Sequence, residues 1–182
     1  MTKLLLVLHV LVAIVAIGPV TVAASMFPPS ARRALADPAD PRASETVRLL
    51  HRICRVYAAV GIAVPVLGMA TALSMGVLDD TWLIVSMVLT GIAAAVLLAL
   101  VLPRQEELLE AVEEARAAPP TDTSTSTSPA LSPSPSTTAA STEVAAGTRV
   151  TVRLAMFTGI FNLLWATVTI LMIVRPGSTT GA

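Results

Sequence analysis

Two histidines are the residues here best suited to hold a metal or move a proton near neutral pH: His9 and His51. His9 stands in an apolar run, Leu8-His9-Val10-Leu11, where an ionisable group is costly without a partner. It reads either as a buried hydrogen-bonding histidine or as a ligand or proton-handling group. His51 lies three residues before the single cysteine, Cys54, a spacing that puts both on one helical face. That pair is a candidate for metal binding, although two ligands do not complete a site. Asn162 and Trp165 form another polar focus, the amide suited to bonding a neighbouring helix and the indole N–H in need of an acceptor. No phosphate-binding loop, dinucleotide glycine fingerprint, Cys-x-x-Cys or serine or cysteine catalytic constellation accompanies them. Nothing in the sequence reads as a soluble-type active site.

The elements that must carry these residues follow from composition. Of 182 residues 54% are hydrophobic and 13% charged, whereas a soluble domain carries roughly a quarter charged residues. The net charge is zero, so bulk electrostatics give no reason to expect nucleic-acid binding. Four stretches lack any Asp, Glu, Lys or Arg: Leu4 to Phe27, Val56 to Leu78, Thr81 to Leu102 and Leu154 to Val174. Each is long enough, at about 1.5 Å per residue, to cross a hydrocarbon core of roughly 30 Å as a helix. The membrane-crossing part of the second helix is expected over about residues 53–78. The expected fold is therefore all-α, one membrane-embedded four-helix bundle over residues 1–182. Antiparallel neighbours then place His9 and His51 at opposite membrane faces, about 20 Å or more apart along the membrane normal by the helical rise. They cannot share one metal or haem within a chain.

Arginine distribution sets the orientation. Arg32, Arg33, Arg42, Arg48, Arg52 and Arg55 lie between the first two spans, and Arg104, Arg116, Arg149 and Arg153 between the last two. Only Lys3 and Arg175 lie on the other side. The positive-inside rule then puts both long loops in the cytoplasm, beside anionic lipid head groups, and both termini outside an inner (plasma) membrane. A rival reading takes the first span as a signal peptide cleaved after Val22-Ala23-Ala24.

In the first loop Pro28-Pro29 is expected to break the helix, with Ser30 capping a short helix that carries Arg32 and Arg33. The next helix is expected to start near Ser44 or Glu45. Asp79 and Asp80 imply a tight hairpin, Asp80 capping the following helix and Trp82 anchoring it at the interface. After Pro103, residues 104–118 read as an amphipathic extension with Leu108, Leu109, Val112 and Ala115 on one face. Residues 119–145, rich in Ser, Thr, Pro and Ala, are expected to be disordered.

Packing is expected to run along small-residue stripes. One comprises His51, Cys54, Ala58, Gly61, Pro65, Gly68, Ala72 and Met75, and another Ala155, Gly159, Asn162, Ala166 and Thr169. Ser86, Thr90 and Ala94, and His9, Ala13, Ala16, Val20 and Ala23 or Ala24, supply the other two faces. Gly18-Pro19 should bend the first helix.

Leu-His-Val-Leu at 8–11, Leu-Leu-His-Arg at 49–52 and Phe-Asn-Leu-Leu-Trp at 161–165 resemble actinobacterial predicted integral membrane proteins, domain of unknown function 2269. The resemblance covers most of the chain outside the Ser/Thr/Pro loop, and that family has no established activity. The chain is also distantly similar to copper-resistance inner-membrane proteins and membrane protoporphyrinogen oxidases. That similarity implies His9, in its Leu-His context, as a ligand to copper or haem. No second ligand is evident on the same side, since Met26 lies near the other end of the helix. The leading expectation is a non-enzymatic membrane protein acting through self-association or a membrane partner. The alternative is a haem- or metal-binding redox or transport protein using His9. A small-molecule transporter is a third reading, weakened by an almost unionisable lining and no visible internal repeat.

Overall fold

A computed structural model describes residues 2–118 and 136–176, with side chains described from 149 onward in the second segment. Its helices are α1 (Thr2–Ala36), α2 (Pro41–Gly61), α3 (Ala63–Met75), α4 (Thr81–Val96), α5 (Leu102–Ala117) and α6 (Ser136–Val174), with a π-helical turn, Leu97–Val101, joining α4 to α5. Among the described residues there is no strand. Four helical spans are long and apolar enough to cross a membrane: Thr2–Ala36, Pro41–Met75, Thr81–Ala117 and Arg149–Val174. The loop expected to be disordered over 119–145 lies outside the described residues as far as 135, and only a backbone path within α6 is described for the rest.

Prolines shape each span. The expected break at Pro28-Pro29 does not occur: α1 runs unbroken to Ala36, so Ser30 is an interior residue and caps nothing. The two backbone hydrogen bonds lost there are outweighed by burial, because Pro28 is buried and Phe27, Ala31 and Ala34 share one core cluster with Val47 and Leu50 of α2. The second helix starts earlier than Ser44. Asp40 caps it, its carboxylate accepting from the Arg42 N–H at 2.9 Å, with Pro41 in the first turn. Pro65 cannot donate to Gly61, and α2 and α3 part at Ile62, whose N–H turns to the Ala59 carbonyl instead. Pro103 has the same effect on the third span, which widens into the π-helical turn just before it. Gly76 ends α3 in the left-handed region (φ 67°), with Val77 N–H on the Ala72 carbonyl and Gly76 N–H on that of Leu73.

At 35 residues α1 is about 52 Å long by the helical rise, well beyond a core of roughly 30 Å. Its last turns, the start of α2, all of α5 and the arginine-bearing part of α6 therefore project together beyond one membrane face. The core of the spans continues into this end, with Leu108 and Val112 of α5 buried against α1 and α2. Leu109 and Ala115 lie partly buried beside them. Arg48 on α2 and Glu113 on α5 meet at 2.9 Å across the seam.

Within the spans α1 is central, packing on α2, α3 and α6, while α4 packs on α6. The hairpin expected at Asp79-Asp80 is tight only at its turn, where Ala72 meets Trp82 and Leu83. Below it α3 and α4 diverge, and an apolar cavity of about 260 Å³ opens among all four spans, lined by Tyr57, Gly61, Pro65, Thr90, Leu97 and Trp165. Its rim residues Ile62 and Leu98 are exposed, so the cavity faces sideways toward lipid.

The stripe expected on the last helix is corrected. Ala155, Gly159, Ala166 and Thr169 are exposed, and α6 buries Thr151, Leu154, Thr158, Phe161 and Val168. Leu154, Phe161 and Val168, with two threonines, rather than glycine and alanine, fill the space α6 shares with α1 and α4. On the second span the stripe is buried at its ends, at His51, Cys54, Ala58 and Ala72, but Pro65 is exposed at the cavity. On α4 Ser86 is buried while Ala94 is exposed. A Cβ added at Gly61 or Gly159 would meet nothing within 4 Å. Neither glycine marks a close helix approach.

Candidate functional site

His9 sits against the start of α3. Its Nδ1 is 3.0 Å from the Val64 carbonyl. A carbonyl only accepts, so Nδ1 carries the hydrogen and, in the neutral ring, Nε2 keeps the lone pair. The ring lies over Gly68, where an added Cβ would come to 3.0 Å from Cε1. Both Val64 and Gly68 belong to the segment that Pro65 offsets from α2, so the proline and the histidine act on the same stretch of backbone.

At the arginine-rich end His51 and Cys54 are both buried, and the structure brings Gln105 between them. The fully buried Gln105 accepts from His51 Nδ1 at 3.3 Å and donates to Cys54 Sγ at 3.5 Å. His51 Nε2 is 3.8 Å from Glu106 Oε1, beyond hydrogen-bond length. Both His51 Nδ1 and Cys54 Sγ are thus engaged by the Gln105 amide. Sequence reasoning did not single out Gln105. Its signal was present: it interrupts the apolar face Val101, Leu108 and Val112 at helical spacing, and a polar residue on a buried face requires partners.

His9 and His51 stand apart. Val64, which His9 touches, is thirteen residues beyond His51 on the second span, roughly 20 Å by the helical rise. Among the described residues no three His, Cys, Asp or Glu side chains come together in a group able to hold a metal ion.

Asn162 faces α1. Its Nδ2 donates to Ser25 Oγ at 3.2 Å, and that hydroxyl donates to the Thr21 carbonyl at 2.7 Å. Asn162 Oδ1 and the Thr158 hydroxyl, one turn earlier, are buried with no hydrogen-bond partner among the described residues. Trp165 meets Phe161 edge to face, with ring centroids 6.4 Å apart, and lines the cavity. The distal end is fastened differently. Asp80 does not cap α4 with its side chain; its carboxylate accepts from the Trp82 indole at 3.0 Å, and the Arg175 guanidinium stands 5.6 Å from the centre of the Trp82 ring.

The arrangement is one of helix-to-helix polar fastenings around an apolar cavity, with a solvated helical end rich in arginine. No match was found among curated proteins or among solved structures. Residues 3–131 match the family described as predicted integral membrane protein (DUF2269), and with most of its length covered the chain belongs to that family.

Proposed function

We propose that the chain is a non-enzymatic integral membrane protein of the inner (plasma) membrane that acts through self-association or a membrane partner. The observation that supports this is the sideways apolar cavity. Protein interiors are close-packed, yet the four spans leave about 260 Å³ bounded by Tyr57, Pro65, Thr90 and Trp165, with Ile62 and Leu98 of its lining exposed. An apolar side chain from a neighbouring helix suits that space. The arginine excess at one end supports a cytoplasmic placement of both long loops, beside anionic head groups, with both termini outside.

Cross-linking in lipid nanodiscs and in native membranes tests the reading. A defined oligomer, or one constant partner, cross-linked through residues 62, 94 or 98 is expected, and Ala94→Trp should abolish it by filling the cavity. A monomer throughout, with no cross-link to any neighbour, would overturn it.

A second reading has its own support. With Nδ1 fixed on the Val64 carbonyl, His9 has the orientation that ligating histidines take when a backbone acceptor holds the other ring nitrogen. His9 would then contribute Nε2 to a haem or copper ion, the remaining ligands coming from another copy. Visible absorption and metal analysis of purified wild type and His9→Ala decide it. A Soret band or stoichiometric metal lost in the variant favours this reading over the first; a featureless spectrum from folded protein removes it.

A further inference from the structure

Arg104 at the start of α5 and Arg149 and Arg153, one turn apart on α6, line a cavity of about 220 Å³ together with Val150. Among the described residues no carboxylate lines it. Arg104 makes an ion pair with Glu107 at 3.0 Å through one terminal nitrogen. Arg149 and Arg153 make no ion pair among the described residues. Three guanidinium groups turned onto one small cavity repel one another unless an anion joins them. Their depth is telling. Arg153 directly precedes Leu154, where the charge-free stretch of α6 begins, and Arg104 follows Leu102, where that of the third span ends. Both mark the boundary between hydrocarbon and water, the level at which phospholipid phosphates lie. The planar fork of arginine suits paired hydrogen bonds to phosphate oxygens.

We propose that Arg104, Arg149 and Arg153 form a binding site for the phosphate of one anionic phospholipid, held between α5 and α6. This deepens the reading that the arginine-rich end lies against anionic head groups. The site joins two helices on either side of the long Ser/Thr/Pro segment, so an occupied site fixes α6 to α5 where the described residues supply no ion pair between them. Val150 offers an apolar contact for the glycerol or first methylenes of the lipid.

Native mass spectrometry of the full chain, released from detergent with phosphatidylglycerol, phosphatidylcholine or inorganic phosphate, tests this. Wild type should retain a single phosphatidylglycerol and no more than background phosphatidylcholine. The triple variant Arg104→Gln, Arg149→Gln, Arg153→Gln should bind at least about tenfold more weakly, given about fivefold per arginine near a membrane surface. A control removing the same charge elsewhere, Arg42→Gln, Arg52→Gln, Arg116→Gln, should bind as wild type. Equal losses in both triples would overturn the site in favour of diffuse surface charge. Inorganic phosphate that binds alone, or displaces the lipid at millimolar concentration, would overturn the lipid as the source. Should the triple variant not fold by circular dichroism, Arg149→Gln alone is read the same way, with wild-type affinity counting against the site. The measurement is made in detergent, so a reversed orientation in the membrane would leave it unaffected and would show only in accessibility labelling.

Discussion

The ring of His9 occupies the space that a side chain at Gly68 would need: Cε1 stands 3.0 Å from where the Cβ would be. The same ring bonds the Val64 carbonyl at 3.0 Å. A glycine and a histidine from different spans thus define one close crossing of α1 over α3, and the only one that glycine makes among the described residues.

Gly68→Leu should therefore displace His9 and lower stability in detergent by about 1–3 kcal/mol, the usual cost of overpacking. Gly61→Ala and Gly159→Ala meet open space and should leave stability unchanged or raise it by up to about 1 kcal/mol through helix propensity. Thermal unfolding of the three variants in one detergent checks this. Equal losses at all three positions would contradict the specific fit of His9 on Gly68.

The spans were legible because charge is excluded from lipid: the gaps between charged residues at 4–27, 81–102 and 154–174 fall within spanning helices, and that at 56–78 overruns its helix by only the three residues after Met75. Their ends were less so. Pro28-Pro29 signals a break locally, and only the burial of Phe27, Ala31 and Ala34 on α2 shows why the helix continues. The face of α6 was misread because small residues are not the sole means of packing; Phe161 and Leu154 fill gaps that glycine would leave. His9's acceptor was not legible at all, since it is a backbone carbonyl exposed by packing against an offset helix rather than a side chain with a recognisable spacing.

Gln105 fastens α5 to α2 through His51 and Cys54. Gln105→Leu leaves the buried His51 Nδ1 without its acceptor and should cost about 1–3 kcal/mol. A double-mutant cycle with His51→Ala should return a coupling of about 0.5–3 kcal/mol. Additive losses would show that the 3.3 Å contact contributes nothing in solution.

Trp82 is held from two sides, by the Asp80 carboxylate at its N–H and by Arg175 over its face. In a Trp165→Phe background, where Trp82 is the only tryptophan, Arg175→Ala should red-shift the emission and free the end of α6. The stability loss should be about 0.5–1 kcal/mol, as for an interfacial cation over an aromatic ring. An unchanged spectrum would mean that the guanidinium does not rest on the indole.

Orientation is tested with cysteines placed at Ser124 and Ser178 in a Cys54→Ser background. With both long loops cytoplasmic, a membrane-impermeant maleimide should label residue 178 in intact cells and residue 124 only after permeabilisation. The opposite pattern would invert the topology.

Thr71, Thr90, Thr167 and Thr169 each return the hydroxyl to the carbonyl four residues back, whereas Thr158, equally helical, does not. Its hydroxyl and the Oδ1 of Asn162 stand unpaired one turn apart on the buried side of α6. An unsatisfied hydroxyl in apolar surroundings costs about 1–3 kcal/mol, and valine has nearly the same shape without it. Thr158→Val should accordingly raise the unfolding temperature. Asn162 differs because its other end is engaged, Nδ2 donating to Ser25 at 3.2 Å. Asn162→Leu should lose only about 0.6 kcal/mol, the average for a polar contact between membrane helices, and Ser25→Ala should lose a similar amount without adding to it. A Thr158→Val variant that unfolds earlier would show that the hydroxyl is bonded, and that the buried side of α6 carries a polar contact the fold depends on.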